Sequence, residues 1–201
     1  MSDVYPTGFF EPLYVEAADG KRTVPWDRDE AHPLIAEWAQ DLNGTGRRAL
    51  VVGSGLGTDA EFVAERGFDA VAFDVSPTAI ATTRARFPGS VVEYRTADLL
   101  DPPAEWHHAF DLVVESLTVQ SMPVAFHAPA IEQVARMVAP GGTLFVIATA
   151  HHEPGEPDGP PFPLTRGEIE AFATDGLELV GIEDVRWPDV PARWRAEFRR
   201  P

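Results

Sequence analysis

A glycine-rich loop follows the first buried strand that the sequence predicts. Residues 49–59 read ALVVGSGLGTD, so apolar residues lead directly into Gly53, Gly55 and Gly57. Glycines after a strand let the backbone approach a nucleotide closely. The spacing is G-x-G-x-G, whereas dinucleotide sites favour G-x-G-x-x-G. The loop therefore predicts either a nucleotide site of another kind or simply a tight turn.

Carboxylates follow the next predicted strands. Asp74 ends the second strand, 19 residues beyond Gly55, where a carboxylate can accept both hydroxyls of a ribose. Asp98 and Leu99 follow the third strand, where a carboxylate could accept the exocyclic amine of an adenine. Glu115 ends the fourth strand, in FDLVVES. A helix N-terminal acid is the alternative interpretation for Asp74, and a turn aspartate is the alternative for Asp98.

The single lysine, Lys21, narrows the choice of cofactor. No Gly-Lys-Ser/Thr occurs, so a Walker A phosphate loop is excluded. Neither Tyr5 nor Tyr14 stands four residues before Lys21, so the Tyr-x-x-x-Lys pair of short-chain reductases is also absent. Because Lys21 is the only lysine, a pyridoxal Schiff base is not expected. These observations favour an adenosine cofactor that carries no phosphate.

Alternating strand and helix patterns must position these residues. The predicted strands are 49–53, 69–74, 91–95, 110–115, 143–149, 177–187 and 192–198, and the predicted helices are 32–42, 58–66, 76–86, 124–138 and 165–173. This order predicts an α/β fold: a seven-stranded, mostly parallel sheet with helices on both faces. The last two strands lack a helix between them and predict one antiparallel edge strand.

Local patterns refine this organisation. Thr58 with Glu61, and Thr165 with Glu168, are spaced as capping boxes. Apolar and charged residues alternate over 192–198, which predicts a strand with one buried face and not a basic tail.

These features in this order, together with ARMVAPGGTLFVI at residues 135–147, resemble the class I S-adenosylmethionine-dependent methyltransferases. The resemblance covers roughly residues 20 to 187 and implies a Rossmann-like methyltransferase fold with S-adenosyl-L-methionine as cofactor and S-adenosyl-L-homocysteine as product. The cofactor-binding residues it implies are Trp26, Gly53, Gly55, Gly57, Asp74, Val75, Asp98, Leu99, Glu115 and Ser116.

Within that family the chain is similar to the thiol and halide branch, which includes the thiopurine-type enzymes. Val51 stands where most members have an acid, and PWDRDEAHPLI at 25–35, Asp59 and Gly-Pro-Pro-Phe at 159–162 match that branch. By this resemblance the Trp26 ring packs on the cofactor near the sulfonium, a cation–π contact; a core anchor is the alternative. Ser116 departs from the branch, which often has Tyr or Arg there.

The resemblance implies methyl transfer to a small molecule, and a thiol is the expected acceptor. The alternative is O- or N-methylation of a small metabolite, and a non-catalytic cofactor-binding protein is less favoured. A hydroxyl or amine acceptor benefits from a general base, whereas a thiolate needs none. The candidate catalytic residues are Glu115, His127 and His151, with His152 and Tyr14 as further base candidates; the candidate substrate-lining residues are Tyr14, Gln120, His151, Pro161 and Phe162.

Composition limits the partners and the location. The net charge of −16 repels phosphodiester backbones, so no nucleic-acid partner is expected. Without a signal-like N-terminus or a long apolar run, we expect no membrane partner and a cytoplasmic location. Cysteine is absent, and no metal is expected because adjacent His151 and His152 rarely ligate one ion. His107 and His108 are expected in a solvated loop.

We expect a single domain over residues 1–201, acting as a monomer or homodimer. Residues 1–47 form an N-terminal cap segment with a helix, and residues 48–201 form the core. The Pro-rich loop 150–164 is a possible substrate lid.

Overall fold

Helices and strands alternate along the chain, as the sequence predicts for an α/β protein. The computed structural model describes residues 7–155 and 157–201, and their contacts group the chain into two units, residues 1–101 and residues 102–201. The division of a single domain into cap, core and lid stays a prediction.

Parallel strands and helices alternate in the first unit. Its elements are α1 (Phe10–Ala18), α2 (Pro33–Trp38), β1 (Arg48–Val52), α3 (Thr58–Glu65), β2 (Asp69–Asp74), α4 (Pro77–Arg86) and β3 (Glu93–Thr96). β2 pairs with β1 on one side and β3 on the other, and both pairs are parallel. β1 and β2 are apolar and buried along nearly their whole length, as expected for strands of a parallel sheet.

Helix α1 has no counterpart among the predicted helices. Its stripe of apolar residues is short, and Leu13 and Tyr14 are buried against Ala79 of α4. Pro12 is tolerated because it stands in the first turn of the helix, where a missing N–H costs little. Tertiary contacts therefore decide this helix, and the local pattern carries too little signal to predict it.

The capping box predicted for Thr58 and Glu61 is wrong. Gly57 is the N-cap of α3, with φ of 87°, and no side chain caps the helix. The Thr58 hydroxyl donates to the carbonyl oxygen of Arg28 (2.9 Å), and Glu61 accepts from the Tyr94 hydroxyl (2.6 Å). Both side chains serve contacts that are distant in sequence, which the spacing of three could not reveal.

The second unit carries the remaining strands. Its elements are β4 (Phe110–Ser116), α5 (His127–Arg136), β5 (Val138–His151), β6 (Leu164–Thr165), α6 (Arg166–Glu170), β7 (Glu178–Trp187) and β8 (Val190–Arg199), with short 3-10 helices at Ala104–Trp106, Val119–Ser121 and Val124–Phe126. β4 and β5 are parallel, β8 is antiparallel to β5, and β7 pairs antiparallel with β8. The antiparallel strand expected from the last two strands is therefore confirmed.

Two local predictions hold in this unit. The capping box of Thr165 and Glu168 is present at the start of α6. Trp194, Ala196 and Phe198 are buried on one face of β8, as the alternation over 192–198 predicts. The two-residue strand β6, which pairs with β5, was too short to predict. In residues 7–155 and 157–201, no helix has the length and apolar character needed to cross a membrane.

Arg200 ties the end of β8 to α5 and to the turn before β7. It is only 8% exposed, and its guanidinium donates to the carbonyl oxygens of Val138 (2.8 Å), Ala135 (3.0 Å) and Asp175. It also pairs with the Asp175 carboxylate at 2.9 Å. One buried cation therefore satisfies several acceptors at once.

We expect Arg200→Met to lower the free energy of unfolding by about 3 kcal/mol, because it leaves buried acceptors unpaired. The matched control is Arg199→Met, since Arg199 is exposed on the same strand. Urea unfolding of both variants measures the difference. Equal midpoints for the two variants would contradict the role assigned to Arg200.

Candidate functional site

The glycine loop after β1 adopts backbone conformations that side chains disfavour. Gly53, Gly55 and Gly57 have φ of 58°, 52° and 87°. A Cβ on Gly57 would come within 2.4 Å of the Thr83 side chain and 2.7 Å of the Tyr94 hydroxyl. The third glycine is therefore required for close packing as well as for its φ.

Asp74 organises this loop from the end of β2. One carboxylate oxygen accepts the N–H of Gly55 (3.0 Å), and the other accepts the N–H of Ser76 (2.9 Å). Asp74 is 7% exposed. Burial raises its pKa, and the backbone hydrogen bonds oppose that shift. A carboxylate has about four lone-pair positions, so each oxygen keeps acceptor capacity for a ligand.

The two residues predicted to contact adenine lie in a turn after β3. One Asp98 oxygen accepts the N–H of Leu100 (2.9 Å). Asp98 is therefore a turn aspartate, the alternative that the sequence left open. Leu99 is buried, and Val75, at the end of β2, is partly exposed. The adenine contacts of Asp98 and Leu99 and the cofactor contact of Val75 stay predictions.

Trp26 and Tyr14 lie directly against the glycine loop. The Trp26 indole N–H donates to the Tyr14 hydroxyl (2.8 Å), and the two rings are edge to face at 6.0 Å. A Cβ on Gly55 would meet the Tyr14 hydroxyl at 3.1 Å and the Trp26 Nε1 at 3.5 Å. Trp26 keeps 38% exposure, so part of its ring remains available to a ligand. Burial raises the pKa of Tyr14, so its hydroxyl keeps its proton and is a poor general base.

Glu11 lies next to the candidate cofactor site and was not identified from the sequence. Its carboxylate accepts the Ser76 hydroxyl (2.5 Å) and the Thr78 hydroxyl (2.6 Å) at the N-terminus of α4. Burial opposes ionisation, but these hydrogen bonds leave the pKa of Glu11 lowered. Ser76 is also the residue whose N–H binds Asp74. The partners are more than 60 positions apart, so no local pattern could have found them.

Asp59 holds the segment that carries Trp26. Both its oxygens face Arg28 (3.2 and 3.1 Å), and one also accepts the N–H of His32 (2.7 Å). A carboxylate in the first turn of α3 is favoured by the helix dipole. The contacts give Asp59 a positioning role next to the glycine loop.

Glu115 ends β4 with no exposed surface. Its Oε1 accepts the N–H groups of Thr118 (2.7 Å) and Val119 (2.9 Å). Its Oε2 is buried without a hydrogen-bond partner among the described residues. Burial raises the pKa of Glu115 to about 7, against the lowering effect of these two N–H groups and of the charge of His127.

Two buried hydroxyls also lack a hydrogen-bond partner among the described residues. They are Ser54 Oγ in the glycine loop of the first unit and Ser116 Oγ at the end of β4 in the second. An unpaired buried polar atom costs about 1–3 kcal/mol. Atoms of this kind indicate places where a ligand can donate or accept.

His127, a candidate base, is 2% exposed and has both ring nitrogens engaged. Nδ1 lies 2.6 Å from a carboxylate oxygen of Glu168, and Nε2 lies 2.9 Å from the carbonyl oxygen of Met122. The pKa of Glu168 is lowered to about 2, because hydrogen bonds from His127 and Thr165 outweigh its partial burial. Neither ring nitrogen is left to accept a proton from a substrate.

Gln120 connects the loop after β4 with the Pro-rich loop. Its side-chain oxygen accepts the N–H of Thr149 (2.5 Å), and its carbonyl accepts the N–H of Phe162 (2.6 Å). Gln120 is buried, Phe162 is partly buried and Pro161 is exposed. Gln120 and Phe162 thus lie together, and their contact with a substrate stays a prediction.

Four further histidines, at positions 107, 108, 151 and 152, lie elsewhere in the second unit. His151, at the end of β5, is hydrogen-bonded to the carbonyl oxygen of Gly155 (2.9 Å) within the Pro-rich loop, and His152 faces Asp184 at 3.5 Å. His108 is hydrogen-bonded to Asp175, the same carboxylate that pairs with Arg200. His107, His108 and Asp175 could together hold a metal ion. Arg200 already compensates the charge of this carboxylate.

Comparison with known proteins relates the chain to methyltransferases. Residues 50–146, about half of the chain, match a family described as a methyltransferase domain. The ubiquinone biosynthesis O-methyltransferase of Bordetella avium is 31% identical over 131 residues, which cover 61% of this chain and 52% of that protein. The 2-heptyl-1-hydroxyquinolin-4(1H)-one methyltransferase of Mycobacteroides abscessus is 27% identical over 185 residues, covering 87% of this chain and 81% of that protein. The chain spans between half and three fifths of the first relatives it matches.

A solved structure supports the fold. The N-methyltransferase NodS from Bradyrhizobium japonicum WM9, in complex with S-adenosyl-L-homocysteine, superposes with a TM-score of 0.71 at 19% identity. The match covers 95% of this chain and 99% of that chain. The predicted Rossmann-like fold is therefore confirmed. The match to a methyltransferase domain supports the predicted cofactor, S-adenosyl-L-methionine. The predicted thiol branch is not shown, because the Bordetella relative is named an O-methyltransferase.

We expect Glu115→Gln to flatten the dependence of stability on pH. In the folded chain the carboxyl keeps its proton up to about pH 7, whereas its ordinary pKa is 4.5. The contribution of this carboxyl to the free energy of unfolding is fully present below its ordinary pKa of 4.5, and it is lost as the pH rises through about 7. The loss amounts to about 3 kcal/mol by linkage and disappears in the variant.

Urea unfolding at pH 5 and pH 8 measures this difference for wild type and Glu115→Gln. Glu132→Gln is the control, because Glu132 is exposed and forms an ion pair with Arg136 one turn away on the surface of α5. The same change of stability with pH in all three proteins would contradict the raised pKa of Glu115.

Proposed function

The chain carries a class I S-adenosylmethionine-dependent methyltransferase domain, and from this premise we propose that the protein methylates a hydroxyl group of a small molecule. The name of the Bordetella relative supports oxygen as the acceptor atom. The buried carboxylate of Glu115, with one oxygen unpartnered among the described residues, carries the proposal.

The residues of the first unit fit the cofactor. The Asp74 carboxylate keeps acceptor capacity for two ribose hydroxyls, and Ser54 Oγ is a buried hydroxyl without a partner among the described residues. Gly53–Gly57 let the backbone approach the sugar and the methionine part, and the exposed part of the Trp26 ring suits a sulfonium. When bound, S-adenosyl-L-methionine supplies an electrophilic methyl group and leaves as S-adenosyl-L-homocysteine.

Glu115 is the proton acceptor in this proposal. A hydroxyl must lose its proton as its oxygen gains the methyl group, and a base is most effective when its pKa lies near the working pH. The pKa of Glu115, raised by burial to about 7, meets that condition. Oε1 is held by two N–H groups, so Oε2 is the oxygen that takes the proton from the acceptor hydroxyl.

The remaining base candidates support this choice. His127 has both nitrogens engaged, and the Tyr14 hydroxyl keeps its proton. His151 is hydrogen-bonded within the Pro-rich loop and could contact a substrate only from there. If the acceptor were a thiol, which needs no base, Glu115 would have no role in the reaction.

We expect Glu115→Gln to reduce kcat for a phenol or other hydroxyl acceptor by at least about a hundredfold, the ordinary contribution of a general base. In the wild type, kcat should rise through pH about 7 as Glu115 ionises. The measurement is a methyl-transfer screen against phenols, alcohols, amines and thiols at several pH values, with Glu132→Gln as control. Turnover of thiols alone, unchanged by Glu115→Gln, would contradict O-methylation.

We expect Asp74→Ala to weaken the binding of S-adenosyl-L-homocysteine at least about tenfold, because it removes charge-assisted hydrogen bonds to the ribose. Calorimetry on the free protein measures the affinity without any acceptor. Asp69→Ala is the matched control, since Asp69 is exposed at the other end of the same strand. An affinity equal to that of the control would show that the ribose assignment is wrong.

A further inference from the structure

The loop between β4 and α5, residues 117–122, is held in one conformation by buried groups. Leu117 has φ of 63°, an unusual value for a bulky residue, and its N–H binds the carbonyl oxygen of Ile147 (2.9 Å). Gln120 holds the loop to Thr149 and Phe162. A strained conformation persists only where surrounding contacts determine it.

A continuous path of hydrogen bonds runs from Glu115 through this loop to α5. Glu115 Oε1 accepts the N–H of Val119 (2.9 Å), and the Val119 carbonyl accepts the N–H of Met122 (3.1 Å). The Met122 carbonyl then accepts from His127 Nε2 (2.9 Å). The position of the Glu115 carboxylate therefore depends on a residue that does not hydrogen-bond to it.

Glu168 completes this path at the other ring nitrogen of His127. A carbonyl oxygen and an ionised carboxylate are both acceptors only, so the ring facing them donates from both nitrogens, as an imidazolium does. Glu168 is itself fixed, because its other oxygen accepts the N–H and the hydroxyl of Thr165 (both 2.8 Å) in the capping box of α6. The cation is thus buried, paired and held by two elements.

We propose that the Glu168–His127 pair positions the Glu115 carboxylate and favours its ionised form, the form that accepts a proton from the substrate. Both are positioning residues that act through Glu115. The inference rests on the proposed function for its consequence in catalysis, but the effect on Glu115 itself does not depend on turnover.

The charges around Glu115 point the same way. His127 lowers the pKa of Glu115, while burial raises it more strongly, and the net value is about 7. Glu168 faces His127 from α6 and carries its negative charge at neutral pH, since its pKa is lowered to about 2. A neutral residue at position 168 would weaken the pair that holds the His127 ring against Met122, and with it the effect of His127 on Glu115.

The test is Glu168→Gln, compared with Glu170→Gln. Glutamine at the third helical position preserves a capping box, so α6 should remain intact. Glu170 is exposed on the same helix and pairs with Arg166, one turn away. Titration of the Glu115 carboxyl by carbon NMR, with Glu115→Gln to assign its signal, reads the effect without any substrate.

We expect Glu168→Gln to raise the titration midpoint of Glu115 by about half a unit to one unit, the effect of removing a nearby cation, and Glu170→Gln to leave it unchanged. The midpoint of the kcat profile should move by the same amount, while the affinity for S-adenosyl-L-homocysteine stays within about twofold, since neither residue is assigned to the cofactor. His127→Gln, which retains a donor for Met122 but carries no charge, should shift the midpoint in the same direction.

The outcomes separate this inference from the proposed function. Equal Glu115 midpoints in wild type, Glu168→Gln and His127→Gln would overturn the inference, whatever the activity. A shifted midpoint in a protein that methylates no hydroxyl would support the pair and overturn the proposed function. A kcat loss in Glu168→Gln without any shift of the midpoint would also overturn the inference, because it would indicate a merely structural role.

Discussion

Two carboxylates are buried where strands end, and the backbone N–H groups around them hold them in place. Removing an ionised carboxylate from water is costly unless hydrogen bonds replace the water. Gly55 and Ser76 offset part of this cost at Asp74, and Thr118 and Val119 offset part of it at Glu115, although burial still raises the pKa of both carboxyls. In each unit, the loop that follows a strand therefore takes the shape that its carboxylate requires.

The two carboxylates differ in how their oxygens are used, and this difference suits them to different tasks. Each oxygen of Asp74 accepts one N–H, so the side chain is fixed in orientation and can offer its remaining lone pairs as a fork. Both N–H groups at Glu115 bind the same oxygen, and the other has no partner among the described residues. A forked acceptor suits a diol, and a single buried oxygen with a pKa near neutrality suits proton transfer.

Further carboxylates fix the elements around these sites. Glu11 holds α1 to the N-terminus of α4, and Asp59 holds the segment of Trp26 to α3. Glu168, in the first turn of α6, holds His127 at the start of α5. Each lies in the first turn of a helix or faces one, where backbone N–H groups and the helix dipole favour negative charge. Much of the acidic composition of the chain near the candidate site is thus used in positioning.

Local and periodic features could be predicted from the sequence alone. The strands, the glycine loop, Asp74, Glu115 and the capping box of Thr165 and Glu168 depend on residues close in the chain. The order of these features also carried the resemblance to class I methyltransferases, which the comparisons support. The choice of acceptor was not contained in these patterns, and the comparisons do not support the expected thiol.

Only the tertiary structure decided which side chains remain available for chemistry. The sequence presented His127 and Glu115 as equivalent candidate bases. Contacts with Met122 and with Glu168, 41 positions away, engage both nitrogens of His127, whereas Glu115 keeps one oxygen without a partner among the described residues. Hydrogen-bond capacity is used up by neighbours in space, and those neighbours are set by the packing of strands and helices that lie far apart in the sequence.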